Sequence, residues 1–340
     1  MTPFNYSDTK YGIHSTTERY AWSAYFLFAL LSSLIGDTLI LAASSQRSAF
    51  KVNKLIVRVI QHIAVSDIAS AVTTVLPALV SMVTNSWVLG EPLCLITAYT
   101  GYITYQAGTY LIAVLTTIKF LILKYPVRAA TWTTKRAQQI CSLTWASSFI
   151  VVFLQMVMKK GDEYFDYRRY GCSRGSITGP WKKAVAITAS IFAFTPNVII
   201  VVITVPTLRF VVEARRSARR VHGHVPRQGA VTVVLTALIY CISIVPISVY
   251  QIVTVFIKED GGSHVEYYRM GCFFLMINIM ANFYIYTLTI KTFRRYILVR
   301  VRLMTKCFSV SNKTSPAGDD LKGNGVDKST SQTVNNDTSL

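Results

Sequence analysis

Charged residues are scarce in this sequence, and the acidic ones are fewer than the basic ones. Only 15% of the 340 residues are charged and 52% are hydrophobic, a composition too apolar for an ordinary soluble domain. The 16 acidic residues stand against 35 basic ones, which gives a net charge of +19. On a soluble protein this excess would indicate nucleic-acid binding, but membrane topology explains it here, and we expect no nucleic-acid partner. The composition therefore predicts a protein of the lipid bilayer.

Motifs of enzymes and metal sites are absent from the sequence. No HExxH, CxxC pair or phosphate-binding glycine loop occurs, and the five histidines are scattered. His222 and His224 are interpreted as solvated loop residues, with metal binding as the alternative. We predict that the protein is not an enzyme and has neither catalytic residues nor a metal centre.

Long apolar runs dominate the chain instead. Each is about 20 to 30 residues long, as a helix needs to cross a hydrocarbon core of roughly 30 Å. Only Asp37 and Asp67 interrupt them. The seven runs are 21–41, 63–83, 92–118, 137–158, 184–208, 228–257 and 270–290. The third run has polar positions as well, which favours a place at the centre of a bundle.

The expected fold is all-α, a seven-transmembrane-helix bundle over residues 20–290. A short amphipathic helix on the membrane surface is predicted for 291–306 and a disordered cytoplasmic tail for 307–340. Basic residues concentrate in the connections after the first, third and fifth runs and after the last run, which places those segments in the cytoplasm and residues 1–19 outside the cell. The connection after the fourth run is also basic, but the number of spans before it places it outside. The outer tail holds a glycosylation acceptor at Asn5, which is either used or left unmodified.

Short motifs recur on successive runs in a fixed order. Asp37 follows a glycine, Asp67 ends the stretch Ala-Val-Ser-Asp, and Cys94 precedes the third run. Later landmarks are Trp145, Cys172, Pro196, Pro246, Asn282-Phe283-Tyr284-Ile285-Tyr286 and Phe293-Arg294. With these motifs, residues 1–306 resemble the rhodopsin-like (class A) G-protein-coupled receptors.

The resemblance implies a plasma-membrane receptor that transmits an extracellular ligand to a heterotrimeric G-protein. It implies a disulfide between Cys94 and Cys172. It also implies a polar core of Asp67, Asn278 and Asn282, which either binds sodium or holds only water. Gly108 stands where the family supplies a serine ligand.

Departures from the family pattern concern coupling. The third-helix Asp-Arg-Tyr motif is replaced by Ile118-Lys119-Phe120, so the acid that holds the arginine at rest is missing. Lysine keeps the positive charge but lacks the planar guanidinium fork. The residues expected to act in activation and G-protein coupling are Lys119, Tyr286, Pro246, Arg215 and Arg216. The two arginines alternatively attract anionic lipid or only enforce topology.

The ligand pocket is defined mainly by exclusion. Gly101 stands where amine receptors of the family have an acid, and Met276 stands where opsins have the retinal lysine. We therefore expect no retinal and no other organic cofactor. The ligand is predicted to be a peptide or a small non-amine chemosensory molecule. The predicted lining is neutral and aromatic: Tyr102, Tyr105, Gln106, Tyr250, Gln251 and Cys272.

The C-terminal region suggests further contacts. Cys307 follows a basic segment and is either palmitoylated, which adds a membrane-lipid anchor, or a free thiol. The chain ends in Thr338-Ser339-Leu340, the form of a PDZ ligand. These features leave open a receptor-like protein that acts through arrestin-type or PDZ scaffold partners. A transporter or channel is less favoured, because the sequence shows no inverted repeat and no paired broken helices.

Overall fold

The computed structural model describes residues 16–46, 53–84, 86–158, 164–166, 171–173, 182–221, 234–246, 249 and 263–311. In chain order the helices are α1 (Thr16–Ser45), α2 (Lys54–Ser70), a π-helical turn (Ala71–Val75), α3 (Leu76–Thr84), α4 (Gly90–Lys124), α5 (Pro126–Ala130), α6 (Thr134–Met158), α7 (Lys182–Val221), α8 (Val234–Pro246), α9 (Ser263–Thr289) and α10 (Lys291–Ser311). Where the structure describes them, the seven predicted runs are helical, which confirms the helical fold class.

Five of the helical segments are long and apolar enough to cross a membrane. They are Thr16–Ser45, Lys54–Thr84, Pro92–Lys124, Thr134–Leu154 and Met270–Thr289. Two shorter apolar helices, Phe194–Phe210 within α7 and Val234–Pro246, correspond to the fifth and sixth predicted spans. Part of the sixth predicted span lies outside the described residues.

Local chemistry sets several helix boundaries. The side chain of Asn53 caps α2 by accepting a 2.9 Å hydrogen bond from the amide of Leu55. Gly90 opens α4 with a φ of 79°, a conformation that favours glycine, and the indole of Trp87 donates to its carbonyl at 2.7 Å. Tyr125 leaves the helical region because Pro126 follows it, so α4 ends and α5 begins there.

The fold also contains one small sheet, which the all-helical prediction did not include. Strands β1 (Tyr164–Asp166) and β2 (Gly171–Ser173) pair antiparallel, with Phe165 opposite Cys172. Strand β2 packs against α4. The hairpin thus brings the second outer loop to the third span.

Helix α4 lies at the centre of the bundle, as its polar interior predicted. It packs against α2, α6 and α7. The main apolar cluster joins α2, α4, α8 and α9 through side chains such as Ile60, Leu111, Ile244 and Ile285. A second cluster joins α1, α3 and α9. Van der Waals contacts among these buried side chains stabilise the packing of the helices against each other.

The predicted amphipathic segment is helical. Helix α10 starts directly after Ile290 and continues to Ser311, beyond the predicted end at residue 306. Phe293 anchors its first turn, since its side chain is fully buried.

Candidate functional site

Two buried carboxylates mark the polar core of the bundle. Asp37 on α1 and Asp67 on α2 are 1% and 4% exposed. Ser33 donates a 2.7 Å hydrogen bond from Oγ to Oδ2 of Asp37. Asn282 on α9 donates from Nδ2 to Oδ2 of Asp67 at 2.7 Å. The predicted core residues Asp67 and Asn282 therefore meet, and Asp37 lies within electrostatic range of Asp67.

The described residues bring together only part of the predicted sodium-binding set. A hard cation takes several oxygen ligands. Asn282 turns an N–H donor toward Asp67, and Asn278 is only half-buried. A Cβ on Gly108 would lie 3.0 Å from Oγ of Ser66, and that hydroxyl donates to the carbonyl of Thr104. A third-helix hydroxyl therefore has no place here.

Phe283 stands where the family has the seventh-helix proline. Unlike proline, it has a backbone N–H that can donate a helical hydrogen bond. Helix α9 accordingly continues through this position to Thr289. The Phe283 side chain packs so closely on Gly36 that a Cβ there would lie 2.7 Å from Phe283 Cβ. Its ring also meets Phe293 edge-on at 6.4 Å between centroids. Phe283 on α9 thus contacts both α1 and the first turn of α10.

Of the predicted coupling residues, Lys119 and Tyr286 are buried in the bundle, whereas Pro246 is exposed at the end of α8. Lys119 is 8% exposed, and within the described residues its Nζ has no hydrogen-bond partner. Its neighbour Ile118 belongs to the main apolar cluster, and Tyr286 is fully buried. The resting contact of the family, an acid beside the third-helix cation, is absent at Ile118 and replaced by apolar packing.

Helix α5 presents an apolar side chain next to basic ones. Val127 is 81% exposed, the highest value among the large hydrophobic side chains of the described residues. Arg128 and Lys124 lie over the ring of Tyr125 at 5.7 and 5.3 Å. On α7, Arg216 is exposed, while the side chain of Arg215 lies outside the described residues. The exposed Val127 side chain, with Lys124 and Arg128 nearby in the chain, is suited to contact another protein.

Two polar side chains of α4 donate hydrogen bonds to the backbone of α7. Tyr110 Oη and Gln106 Nε2 lie 2.9 and 3.4 Å from the backbone carbonyl of Phe192 and donate to it. The rings of Tyr110 and Phe192 are 5.0 Å apart. Of these three residues the sequence predicted only Gln106. The signal for the others was Pro196, whose missing N–H leaves the carbonyl four residues earlier without its helical donor.

A buried tyrosine of α8 completes this layer. Tyr240 is 1% exposed and lies beside Tyr105, Thr109 and Tyr110 of α4. Ile244, one turn further along α8, is fully buried. Tyr105, Tyr110 and Tyr240 therefore lie close together between the third and sixth spans. Ile244 stands at the position where the family has an aromatic side chain.

The other predicted pocket residues divide into three groups. Tyr102 is 39% exposed, which places it at the margin of any cavity, and Cys272 is half-buried and not disulfide-bonded. Tyr250 and Gln251 lie outside the described residues. Gly101 has no space for a side chain, because a Cβ there would lie 2.6 Å from Oγ1 of Thr74. Met276, at the opsin lysine position, is buried in the second apolar cluster, which joins α1, α3 and α9.

An aromatic contact at the outer ends of α1 and α9 was not predicted. Tyr25 stacks on Phe273 at 4.8 Å and donates from Oη to its carbonyl at 2.7 Å. Trp22 meets the Phe273 ring edge-on at 6.3 Å. Single aromatic residues in an apolar run give no such signal, because their partners are remote in sequence.

Cys94 is buried and disulfide-bonded. Strand β2, which carries Cys172, packs against α4, and this packing supports the predicted pairing. The pairing itself stays a prediction. Asn5, Thr338 and Leu340 lie outside the described residues, and so does the side chain of Cys307.

Known proteins resemble this chain over most of the bundle. The family described as 7 transmembrane receptor (rhodopsin family) matches residues 36–286. A human protein named Probable G-protein coupled receptor 63 is 25% identical over 202 residues, 59% of this chain and 46% of that protein. The annetocin receptor of Eisenia fetida is 26% identical over 138 residues, 41% of this chain and 31% of its own.

A third relative is the C-X-C chemokine receptor type 1 of Oryctolagus cuniculus, 24% identical over 191 residues, 54% of this chain and 50% of its own. The chain spans half or less of the length of these three relatives. The family match covers more than half of the chain and includes the polar core, the central helix and Tyr286. The chain therefore belongs to the rhodopsin family of seven-transmembrane receptors.

Proposed function

We propose that this membrane protein is a receptor that transmits an extracellular ligand to a heterotrimeric G-protein. Ligand binding would shift the population between helix arrangements without turning over a substrate. The observation that carries the proposal is buried, unpartnered Lys119 near the C-terminal end of α4, which is followed in the chain by α5 with its exposed Val127 and Arg128.

The cytoplasmic surface suits a protein partner for two reasons. Val127 offers exposed apolar area, and the cations around it offer attraction to an acidic partner. Lys119 has no partner among the described side chains, so an opening of the bundle would present a cation to the incoming protein.

The ligand is a peptide or a small non-amine molecule. Gly101 is closed by Thr74, so the third helix offers no acid at the amine position. The polar groups of α4 at that level are neutral, with Gln106 and Tyr110 held on α7. A ligand that reaches this layer would meet hydrogen-bonding and aromatic groups.

The receptor resides in the plasma membrane with its N-terminus outside and its C-terminus in the cytoplasm. The alternation of basic connections supports this orientation. Asn5 then faces the glycosylating compartment. Cys307, together with the basic residues of α10, faces anionic lipid and serves as a palmitoylation site.

A second candidate function keeps the receptor fold but not efficient coupling. Ile118 packs in the apolar cluster where the family has an acid, and Lys119 replaces the arginine. Signals would then pass through arrestin-type or PDZ scaffold partners that bind the C-terminal residues Thr338 and Leu340.

The experiment measures G-protein dissociation in living cells that express the full-length chain, with an N-terminal epitope tag to quantify surface display. A panel of G-protein subtypes is monitored without added ligand and with fractionated tissue extract. We expect activity above that of mock cells, because no acid restrains Lys119. Lys119→Ala should reduce this activity at least tenfold.

Lys135→Ala is the matched control, since Lys135 is exposed at the start of α6. It should keep full activity. Silence of the wild-type receptor at normal surface display, together with arrestin recruitment that depends on Leu340, would replace the first function by the second. Absence of the tag from the surface of intact cells would contradict the proposed orientation.

A further inference from the structure

The connection between α5 and α6 carries exposed threonines in a basic segment of the chain. Residues 119–158 contain five basic residues and no acidic one. The exposed threonines are Thr131, Thr133 and Thr134. The exposed basic residues next to them in the chain are Arg128, Lys135 and Arg136. Hydroxyl groups in such surroundings are suited to an enzyme that recognises a target by its positive charge.

The hydrogen bonds of these threonines single out Thr133. The hydroxyl of Thr131 donates to the carbonyl of Arg128 at 2.8 Å, so its proton is engaged. Thr133 Oγ1 instead accepts a 3.3 Å hydrogen bond from the amide of Arg136, and its carbonyl accepts from the amide of Ala137 at 3.3 Å. Thr133 therefore caps α6 with an oxygen that is directed at the first amides of the helix. Its own O–H donates to no acceptor among the described residues, so the proton is available for transfer.

A phosphate group on Thr133 would meet only favourable charges in this segment. A phosphothreonine carries a charge of about −1.5 to −2 near neutral pH and has three strong acceptor oxygens. The amide of Arg136 already lies within hydrogen-bond distance of Thr133 Oγ1, and the dipole of α6 attracts an anion to the same end. The side chains of Lys135 and Arg136 add two full positive charges in the first turn of α6. The segment thus favours both recognition by a kinase and retention of the phosphate.

We propose that Thr133 is a phosphorylation site for a protein kinase that recognises basic residues, and that the start of α6 holds the phosphate. The γ-phosphoryl group of ATP forms a P–O bond with Thr133 Oγ1, its bond to ADP breaks, and the hydroxyl proton passes to a base of the kinase. The inference rests on the proposed orientation, which places this connection in the cytoplasm, where ATP is available. The added negative charge lies in the same connection as Val127 and Arg128, so it weakens the attraction of that surface for an acidic partner.

Phosphorylation of the purified full-length receptor in lipid nanodiscs tests this site. The receptor is incubated with ATP and the catalytic fragment of protein kinase C, a kinase that prefers basic residues near its target, and mass spectrometry locates the phosphate. We expect phosphate on residue 133 in the wild-type protein and in Thr133→Ser, and its loss from this residue in Thr133→Val. Thr131→Val is the matched control and should keep it. Arg136→Gln should slow the reaction severalfold, because it removes the charge and keeps the amide.

The thermal midpoint shows whether the start of α6 holds the phosphate. The phosphorylated receptor should melt about 1–3 °C above the phosphatase-treated one at low salt, with a smaller difference at high salt and none in Thr133→Val.

Phosphate confined to Thr131, Thr134 or the C-terminal residues would overturn the proposed site, and equal midpoints would overturn retention at α6. Neither readout depends on G-protein coupling. A reversed orientation would be recognised separately, by absence of the N-terminal tag from the surface of intact cells.

Discussion

The hydroxyl of Tyr110 donates a 2.9 Å hydrogen bond to the backbone carbonyl of Phe192. That carbonyl would normally accept from the amide four residues later, but residue 196 is a proline and has no N–H. Gln106 Nε2 adds a longer contact of 3.4 Å to the same oxygen. A side chain of the central helix thus donates to the backbone carbonyl that Pro196 leaves without its helical donor, and it joins the two helices.

Removal of this hydroxyl should destabilise the receptor. Tyr110→Phe keeps the ring contact with Phe192 but leaves its carbonyl with only the longer Gln106 contact, at a cost of about 1–2 kcal/mol. The measurement is the thermal midpoint of the purified full-length protein in detergent. Tyr20→Phe, on a ring that is 64% exposed, is the control and should have no effect. Equal midpoints for Tyr110→Phe and the wild type would show that the bond contributes nothing.

The contact between Gly36 and Phe283 should not tolerate even a methyl group. Gly36→Ala places a Cβ 2.7 Å from Phe283 Cβ, and overpacking of this kind costs about 1–3 kcal/mol. Phe283→Ala on the same chain should recover part of the loss, since it removes the ring, whose Cγ would lie 2.7 Å from the added Cβ, and leaves only Cβ of residue 283 at that distance. The thermal midpoints of the single and double variants measure this coupling. Strictly additive losses would contradict the close approach.

Replacement of Lys119 by an apolar residue should stabilise the fold and abolish coupling together. Lys119→Met keeps the length of the side chain and removes a buried amine without a partner, for a gain of at least about 1 kcal/mol. The readouts are the thermal midpoint and G-protein dissociation in cells. Lys135→Met at an exposed position should alter neither. A fall in the midpoint of Lys119→Met would mean that the lysine has a stabilising partner.

The predicted disulfide can be tested by a double-mutant cycle. Cys94→Ser should lower stability and surface display, because loss of a native disulfide costs about 2–5 kcal/mol. Cys172→Ser should cause a loss of the same size, and the double variant should be no worse than either single one. A double variant with the summed loss would show that Cys94 pairs with another residue.

The sequence by itself determined the membrane class, the helical spans and the family. Charge-free runs of sufficient length have few alternatives to spanning helices, and a fixed order of motifs is specific even when single motifs are weak. The meeting of Asp67 with Asn282 and the central place of α4 followed from the resemblance and from polar positions in the third run.

Only the tertiary structure decided which remote residues meet. The contacts of Gly36 with Phe283, Tyr25 with Phe273 and Tyr110 with Phe192 join helices that are far apart in the chain, and apolar periodicity says little about facing in a membrane helix. The hairpin β1–β2 was missed because two strands of three residues have no readable pattern. That Asp37 and Asp67 are both buried in the bundle depends on how α1 and α2 rotate about their axes, which packing sets and local sequence does not.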